Sequence, residues 1–517
     1  YRLPISMKLP LLLILSLLLF APFLRAEPLL AGAAKVEIAH PDHPAKENPP
    51  FVKALVLSQG ETHVVIVSVD AVAIAEIGSI RDPYLAEVRG ALQNTLGIPP
   101  TAFVVNASHC HAIVAPDIAE RTIRAVTLAW ESRVPAKVGA GIGREDGVME
   151  NRRLKLKSGR EADVRYAYSL PPDDEVAAMG PIDPEIGLLR IDRLDSGQPL
   201  AAVFQFACHP IMGVPDGSNG ADLSGYAAET IEANLGDGDA TALFLQGCGG
   251  DINPVLYKSV DLPRDAKPLG TRLGLSALAG LRAIETQADA PLAIASETLT
   301  LPRADHAPRI AEMEQEIDAL AASLKGTTLN FETFLPLYVK YHLNSDYPSE
   351  VAGRYLQDEL LGRTDWKSLD ANNRAAMDAY LRNLRTMEEL TRRQINRDLL
   401  ARHQARRAEA GEMVSAEVAA LRVGDFRLVT FPAELTVEIG LGLKERSPHP
   451  LTFVSGYTNG YLYYAPTAEQ AKNRGGAQED SDCLLAPEWQ GIFEAAALRL
   501  LSYQRSNLNS QSALSVR

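Results

Sequence analysis

The chain is short of several things at once. It holds 4 cysteines and 10 histidines in 517 residues. So few cysteines, with no C-x-x-C spacing, exclude a disulfide-dense scaffold and give no support to a thiolate metal site. Basic residues are outnumbered, 51 Lys and Arg against 65 Asp and Glu, for a net charge of −14. That balance is a poor match for nucleic acid or for anionic headgroups. Internal repeats and low-complexity tracts are missing, which excludes solenoids and arrays. Beyond Leu24 no apolar run approaches the length of a membrane span, so no stable span is expected.

One apolar run does occur, at the start. Met7-Lys8 begins a short basic region, Leu9 to Leu24 is almost wholly apolar, and Leu24-Arg25-Ala26 offers a cleavage site. Residues 1–26 therefore read as a signal peptide, with 1–6 upstream of the true start, and the expected location is secreted or periplasmic. Removal takes away Arg2, Lys8 and Arg25 and no acid, so the charge moves from −14 to −14 − 3 = −17.

The remainder alternates strand-like and helix-like stretches. Val56 to Ser58 and Val64 to Val69 flank Gln59-Gly60-Glu61-Thr62 as a hairpin. Tyr84 to Leu96 has helical spacing and stops at Gly97. Leu188 to Ile191 and Leu200 to Phe206 make a second hairpin, and a helix over Tyr226 to Leu235 leads to the strand Leu243 to Leu245. Ala416 to Val423 and Phe426 to Phe431 flank the two-residue turn Gly424-Asp425. Between about 305 and 413 the chain is charged, Leu- and Ala-rich and almost free of glycine, the pattern of an inserted helical subdomain. Its segment Arg392 to Arg407 reads as a solvated face. The fold class expected is α/β, a mixed sheet core flanked by helices with a helical insertion. Residues 27–505 form one catalytic domain and 506–517 a disordered tail.

Scarce histidine makes one cluster informative. His109-Cys110-His111 follows the buried-strand run Phe103 to Val105, so two imidazoles leave a strand end together. His209 follows a second strand, Asp251 and Asn253 sit in a glycine-rich loop after a third, and Glu434 and Tyr461 follow the last hairpin. Sites in α/β sheets lie beyond the carboxyl ends of strands, so these clusters are placed to converge. Two histidines, one carboxylate and an open position are what a catalytic zinc requires. Cys110, Cys208, Cys248 and Cys483 are open to three readings: packing residues, a bridge in one of three pairings, or soft ligands.

These motifs resemble the neutral ceramidases, zinc-dependent amidases that release fatty acid from N-acyl-sphingosine. The resemblance runs from Ala31 to about residue 500. It is carried by His109-Cys110-His111, Asn151-Arg152, Asp183-Pro184-Glu185-Ile186-Gly187, Cys208-His209-Pro210, Phe431-Pro432-Ala433-Glu434 and Asn459-Gly460-Tyr461. It implies Zn2+ held by His109, His209, Glu434 and Tyr461, with His111, Arg152, Asp251 and Asn253 as catalytic neighbours. Tyr457, Tyr463 and Tyr464 are alternative sources of the phenol, and Asp251 is alternatively a cap on its glycine loop. The family's loop Gly-Asp-Val-Ser-Pro-Asn reads here Gly250-Asp251-Ile252-Asn253-Pro254-Val255, with Asn253 at the serine position. An amide is no nucleophile but donates hydrogen bonds. The resemblance covers a catalytic domain with no C-terminal immunoglobulin-like domain.

The implied function is hydrolysis of an N-acyl amide bond in a small or lipid-like substrate by metal-activated water. The alternatives are a zinc-binding relative that has lost turnover and a zinc esterase or glycan-directed hydrolase on the same scaffold.

Overall fold

The computed structural model of the chain describes residues 27–164, 171–214, 217–257, 264–348, 351–474 and 476–511. The expected signal segment 1–26 and residues 512–517 of the expected tail lie outside the described residues.

The chain opens as a meander. Strands β1 (Leu30–Glu37), β2 (Phe51–Gln59) and β3 (Thr62–Val69) pair antiparallel in succession. Gly60, at φ 58°, supplies the left-handed residue that the β2–β3 turn requires. Helix α1 (Pro83–Leu96) ends on Gly97 at φ 71°, and β4 (Phe103–Ala107) then joins β3 in parallel. Helix α2 (Ile118–Glu131) leads to β5 (Val134–Arg144). Four short strands follow: β6 (Met149–Asn151), β7 (Arg153–Leu156), β8 (Glu161–Asp163) and β9 (Val176–Met179).

Next comes the antiparallel pair β10 (Glu185–Arg193) and β11 (Pro199–Phe206), then α3 (Asp222–Asn234). Strand β12 (Thr241–Gln246) runs parallel to β11, β13 (Ile252–Pro254) pairs with β6, and α4 (Ala266–Ala283) closes this half. The eight long strands form one mixed sheet in the order β12-β11-β10-β5-β1-β2-β3-β4. The succession of three meandering strands, helix, parallel strand and helix therefore occurs twice. No sequence repeat signals this duplication. The sheet coils so that its edges approach: Asn106 Oδ1 in β4 accepts a hydrogen bond from Gln246 N in β12 at 2.8 Å.

The second sheet has the order β14-β15-β16-β18, built from β14 (Leu292–Pro302), β15 (Met413–Val423), β16 (Phe426–Thr430) and, after the two-residue β17 (Glu434–Leu435) and helix α9 (Val437–Arg446), β18 (Thr452–Ser455). Between β14 and β15 lie α5 (Ala307–Ser323), α6 (Phe331–Leu343), α7 (Gly353–Leu360) and α8 (Asp365–Ala410). After β18 come β19 (Tyr464–Ala465), α10 (Gln478–Ser481) and α11 (Trp489–Gln511), which extends into the segment read as a tail.

Strand alternation sorts the core into layers. In β3, Val65, Val67 and Val69 face α1 and α2, while Val64 and Ile66 face the second sheet with Leu421, Phe426 and Phe453. Helices α3 and α4 cover the other half of the first sheet, and α9 and α11 cover the far side of the second through Leu443, Trp489 and Phe493. The result is four layers, helix, sheet, sheet, helix. Leu245 is fully buried between the sheets. Cutting such a leucine back to alanine costs about 2–5 kcal/mol.

The solvated-face reading of Arg392 to Arg407 is corrected. Arg392 and Arg393 are buried, and donate to Gly476 O at 2.9 Å and Arg474 O at 3.0 Å. His403 lies 2.7 Å from Asp482 Oδ1. A guanidinium carries five donors, so a charged helix face can cap the carbonyls of a loop instead of meeting water. Among the described residues no helix is long and apolar enough to cross a membrane.

Candidate metal centre

The site is built from strand ends. After β4 the chain is clamped to the end of β3, with Ser108 N donating to Val69 O and His109 N to Ala71 O. His109 takes φ 69°, an uncommon conformation outside glycine, and its ring turns inward against Val72, with Nδ1 2.6 Å from Val72 O. His209 follows β11. Its backbone N–H donates to Ile252 O at 2.9 Å, and its Nδ1 lies 3.0 Å from the same oxygen. Glu434 begins β17 and donates its N–H to Tyr463 O at 2.9 Å.

These three residues converge. His109 Nε2 is 3.5 Å and His209 Nε2 3.1 Å from Glu434 Oε2, and one ligand atom from each residue lies within 4.8 Å of the others. Tyr461 donates its phenol to Glu434 Oε1, and Tyr457 donates to Oε2 at 3.1 Å. All five side chains are buried.

The chemistry of this donor set fits a metal ion. A carbonyl oxygen can only accept, so each Nδ1 carries its ring's proton and each Nε2 of a neutral ring is a lone pair. Burial pushes the His109 imidazole down to about 4, against the opposing pull of Glu434. Burial would raise the Glu434 carboxyl, but the two histidines and the Tyr461 hydrogen bond hold it well below the usual range. At neutral pH a lone pair and an ionised carboxylate thus face each other, an arrangement that a cation between them resolves. Nδ1–H to a backbone carbonyl is also the customary outer support of a metal-bound imidazole. His109, His209 and Glu434 could therefore hold a metal ion. Burial, and then the charge of Glu434, raises both Tyr457 and Tyr461 well above the ordinary phenol value.

Beside this cluster lies a polar wall. Arg152 Nε donates to Glu479 at 2.6 Å, its Nη2 to Gly250 O at 2.7 Å and its Nη1 to Asn253 Oδ1 at 3.4 Å. Burial opposes the Arg152 charge, and Glu479 and Tyr464 more than offset it. Asn253 is buried in β13, and its Nδ2 has no hydrogen-bond partner among the described residues. Asp251 accepts from Val437 N at 2.7 Å and from Asn151 Nδ2 at 3.1 Å, so it ties the glycine loop to α9 and β6. Burial raises the Asp251 carboxyl to about 6. His111 is exposed, with its ring centroid 5.5 Å from that of His109, at the mouth of the cluster.

The four cysteines are buried and free. Burial pushes all four thiols up, which fits packing residues.

Solved structures superpose on this fold over 93% of the chain. The fold is that of the neutral ceramidases. The neutral ceramidase from Pseudomonas aeruginosa superposes with a TM-score of 0.55 at 15% identity, over 93% of this chain and 75% of that one. A structure of ceramidase complexed with C2 gives a TM-score of 0.57 at 15% identity, over 93% and 76%. No family model and no curated protein sequence matches.

Some of the neighbourhood carried no signal in the sequence. Glu479 is fully buried between Arg152 and Arg153, 2.6 Å from the first and 3.0 Å from the second. The only hint was the acid run Glu479, Asp480, Asp482, since buried arginines demand carboxylate partners. The carbonyls of Val72 and Ile252 orient the two histidines and are invisible to any side-chain pattern.

Proposed function

We propose that the protein is a zinc-dependent hydrolase that cleaves an N-acyl amide bond in a lipid-like substrate, acting outside the cytoplasm. The observation that carries the reading is the meeting of His109, His209 and Glu434 around one carboxylate oxygen. Zn2+ would be held by these three residues and by the Tyr461 phenol. Bound there, zinc supplies a Lewis acid that ionises water near neutral pH.

The chain's own residues supply the rest. Asn253 has a buried, unpartnered Nδ2–H and donates to the oxygen of the carbonyl under attack. Arg152 aims that amide by holding Oδ1, and Glu479 keeps Arg152 charged. Asp251 fixes the loop that carries Asn253. His111, at the mouth, contacts the substrate and is placed to pass a proton to the leaving amine. Amide, not serine, at position 253 means that water is the nucleophile and no acyl-enzyme forms there.

The test is turnover of a panel of N-acyl amides, esters and glycans, with and without a chelator. Chelator-sensitive amide cleavage supports the proposal. Cleavage of esters or glycans alone would move the activity to another bond class, and zinc binding without turnover of any would mark a ligand-binding relative.

A further inference from the structure

We infer that the tip of the helical insertion, α6 with α7, docks on a zwitterionic lipid bilayer. Helix α6 is apolar on two opposite sides. Phe334 and Tyr341 pack inward against Met377 of α8. Phe331, Leu335, Val339 and Leu343, spaced by four, form a stripe on the outer side, and Leu343 is 83% exposed. Leu356 and Leu360 of α7 are exposed as well, Leu360 at 82%. A surface helix ordinarily turns its charged residues outward. Here the thirteen residues of α6 carry only Glu332, Lys340 and His342 as titratable groups besides two tyrosines. A helix apolar all round belongs in a core or at a membrane, and contiguous exposed patches of this kind mark interaction sites.

The position and charge of the tip select the partner. Helix α8 is docked through Arg392, Arg393 and His403, while its other end holds the tip through Asp370, which accepts from Tyr341 and Tyr355 at 2.7 Å each. From Asp370 to His403 the helix rises about 50 Å, so the apolar surface is carried far from that docking point. Between residues 330 and 374, seven acids face five bases, so opposite charges nearly cancel at a net of −2. A near-neutral apolar tip suits neither a polyanion nor an anionic surface, and does suit uncharged-on-balance headgroups. Tyr347 and Trp366 flank Tyr355 at ring-centroid distances of 5.3 and 6.2 Å, and such rings favour the headgroup level. The choice of a lipid partner rests on the proposed lipid-like substrate, which itself resides in a bilayer.

The experiment is flotation of the full chain with unilamellar phosphatidylcholine vesicles, beside hydrolysis of a water-soluble short-chain N-acyl amide. The wild type is expected to float. Leu335→Glu with Leu343→Glu should lower vesicle binding about ten-fold or more and leave hydrolysis of the soluble amide unchanged. Leu343→Trp, which does not depend on the folding of the first variant, should strengthen binding. A wild type that stays unbound, or variants that bind like it, would overturn the inference. So would a loss of mass on sedimentation in the double variant, which would make the stripe an interface with a second copy. Vesicle binding without amide turnover would sink the hydrolase reading and leave the docking surface standing.

Discussion

His209 Nε2 lies 3.1 Å from Glu434 Oε2, across 225 positions of sequence. The ring cannot rotate away, because its Nδ1 is tied to the Ile252 carbonyl at 3.0 Å. A preset ring orientation suits a group that could hold a metal ion, and it leads directly to the first test.

His209→Ala removes one nitrogen donor and leaves Glu434 facing His109 alone. Loss of an outer hydrogen-bond partner costs about 10–100-fold in metal affinity, and loss of a ligand should cost more. Elemental analysis after dialysis should show zinc near one equivalent in the wild type and far below that in the variant. Full occupancy in the variant would remove His209 from the ligand set.

Asn253→Ala deletes the buried, unpartnered amide donor. Removal of one donor to a developing oxyanion lowers kcat by about a hundred- to a thousand-fold. Zinc content should not change. Asn253→Ser, which restores the residue of the resembled family, should retain activity. If neither change alters turnover, Asn253 is a structural residue of β13 and no part of the chemistry.

Glu479 neutralises two buried arginines at once. Glu479→Ala takes the carboxylate partner from Arg152, while Arg153 keeps Glu161 at 2.6 Å and Asp480 at 2.9 Å, and breaking a buried pair from one side costs about 3–5 kcal/mol. Denaturant midpoints should fall accordingly, while Glu479→Gln, which keeps the acceptor oxygen, should lose less. A midpoint for Glu479→Ala within error of the wild type would show that Arg152 finds another partner.

Asp222 predicts a pH dependence. Burial raises its carboxyl from 3.8 to about 6, against the hydrogen bonds donated by Leu223, Gly213 and Met212. A carboxyl raised in the native state binds its proton more tightly when folded. Its stabilising contribution is present in full below pH 3.8 and is lost as pH rises through about 6. The loss is on the order of 3 kcal/mol. Relative to Asp222→Asn, which cannot titrate, the wild type should therefore lose stability between pH 4 and 7. Denaturation of both at three pH values measures the gap; a constant gap would mean that Asp222 is as easily ionised folded as unfolded.

Local elements were legible because their signals are short-ranged. The connections Gln59-Gly60-Glu61-Thr62 and Gly424-Asp425 each specify a hairpin, and the apolar alternation around them matches β2–β3 and β15–β16, with the first turn tightened to Gly60-Glu61. The stop at Gly97 and the glycine-poor insertion were equally plain. Arg392 and Arg393 misled because charge alone does not reveal whether a helix face meets water or a row of carbonyls. The stacked second sheet was missed as a separate layer, since a strand buried on both sides looks the same whichever neighbour covers it.

By itself the sequence determined which residues could do chemistry: scarce histidines at strand ends, a glycine loop with Asp251 and Asn253, a glutamate after Phe431-Pro432-Ala433. Only the tertiary structure decided which of them meet. The first sheet coils until the ends of β4 and β12 touch through Asn106 and Gln246, which brings His109 and His209 to one place, and β17, paired with β19 beyond the end of β16, delivers Glu434. It also decided how each group behaves. Burial lowers the basicity of His109, a fully buried Glu479 keeps Arg152 charged, and the Asn253 amide donor is left without a hydrogen-bond partner among the described residues. These are properties of packing and low dielectric, set by residues hundreds of positions away, and no local pattern encodes them.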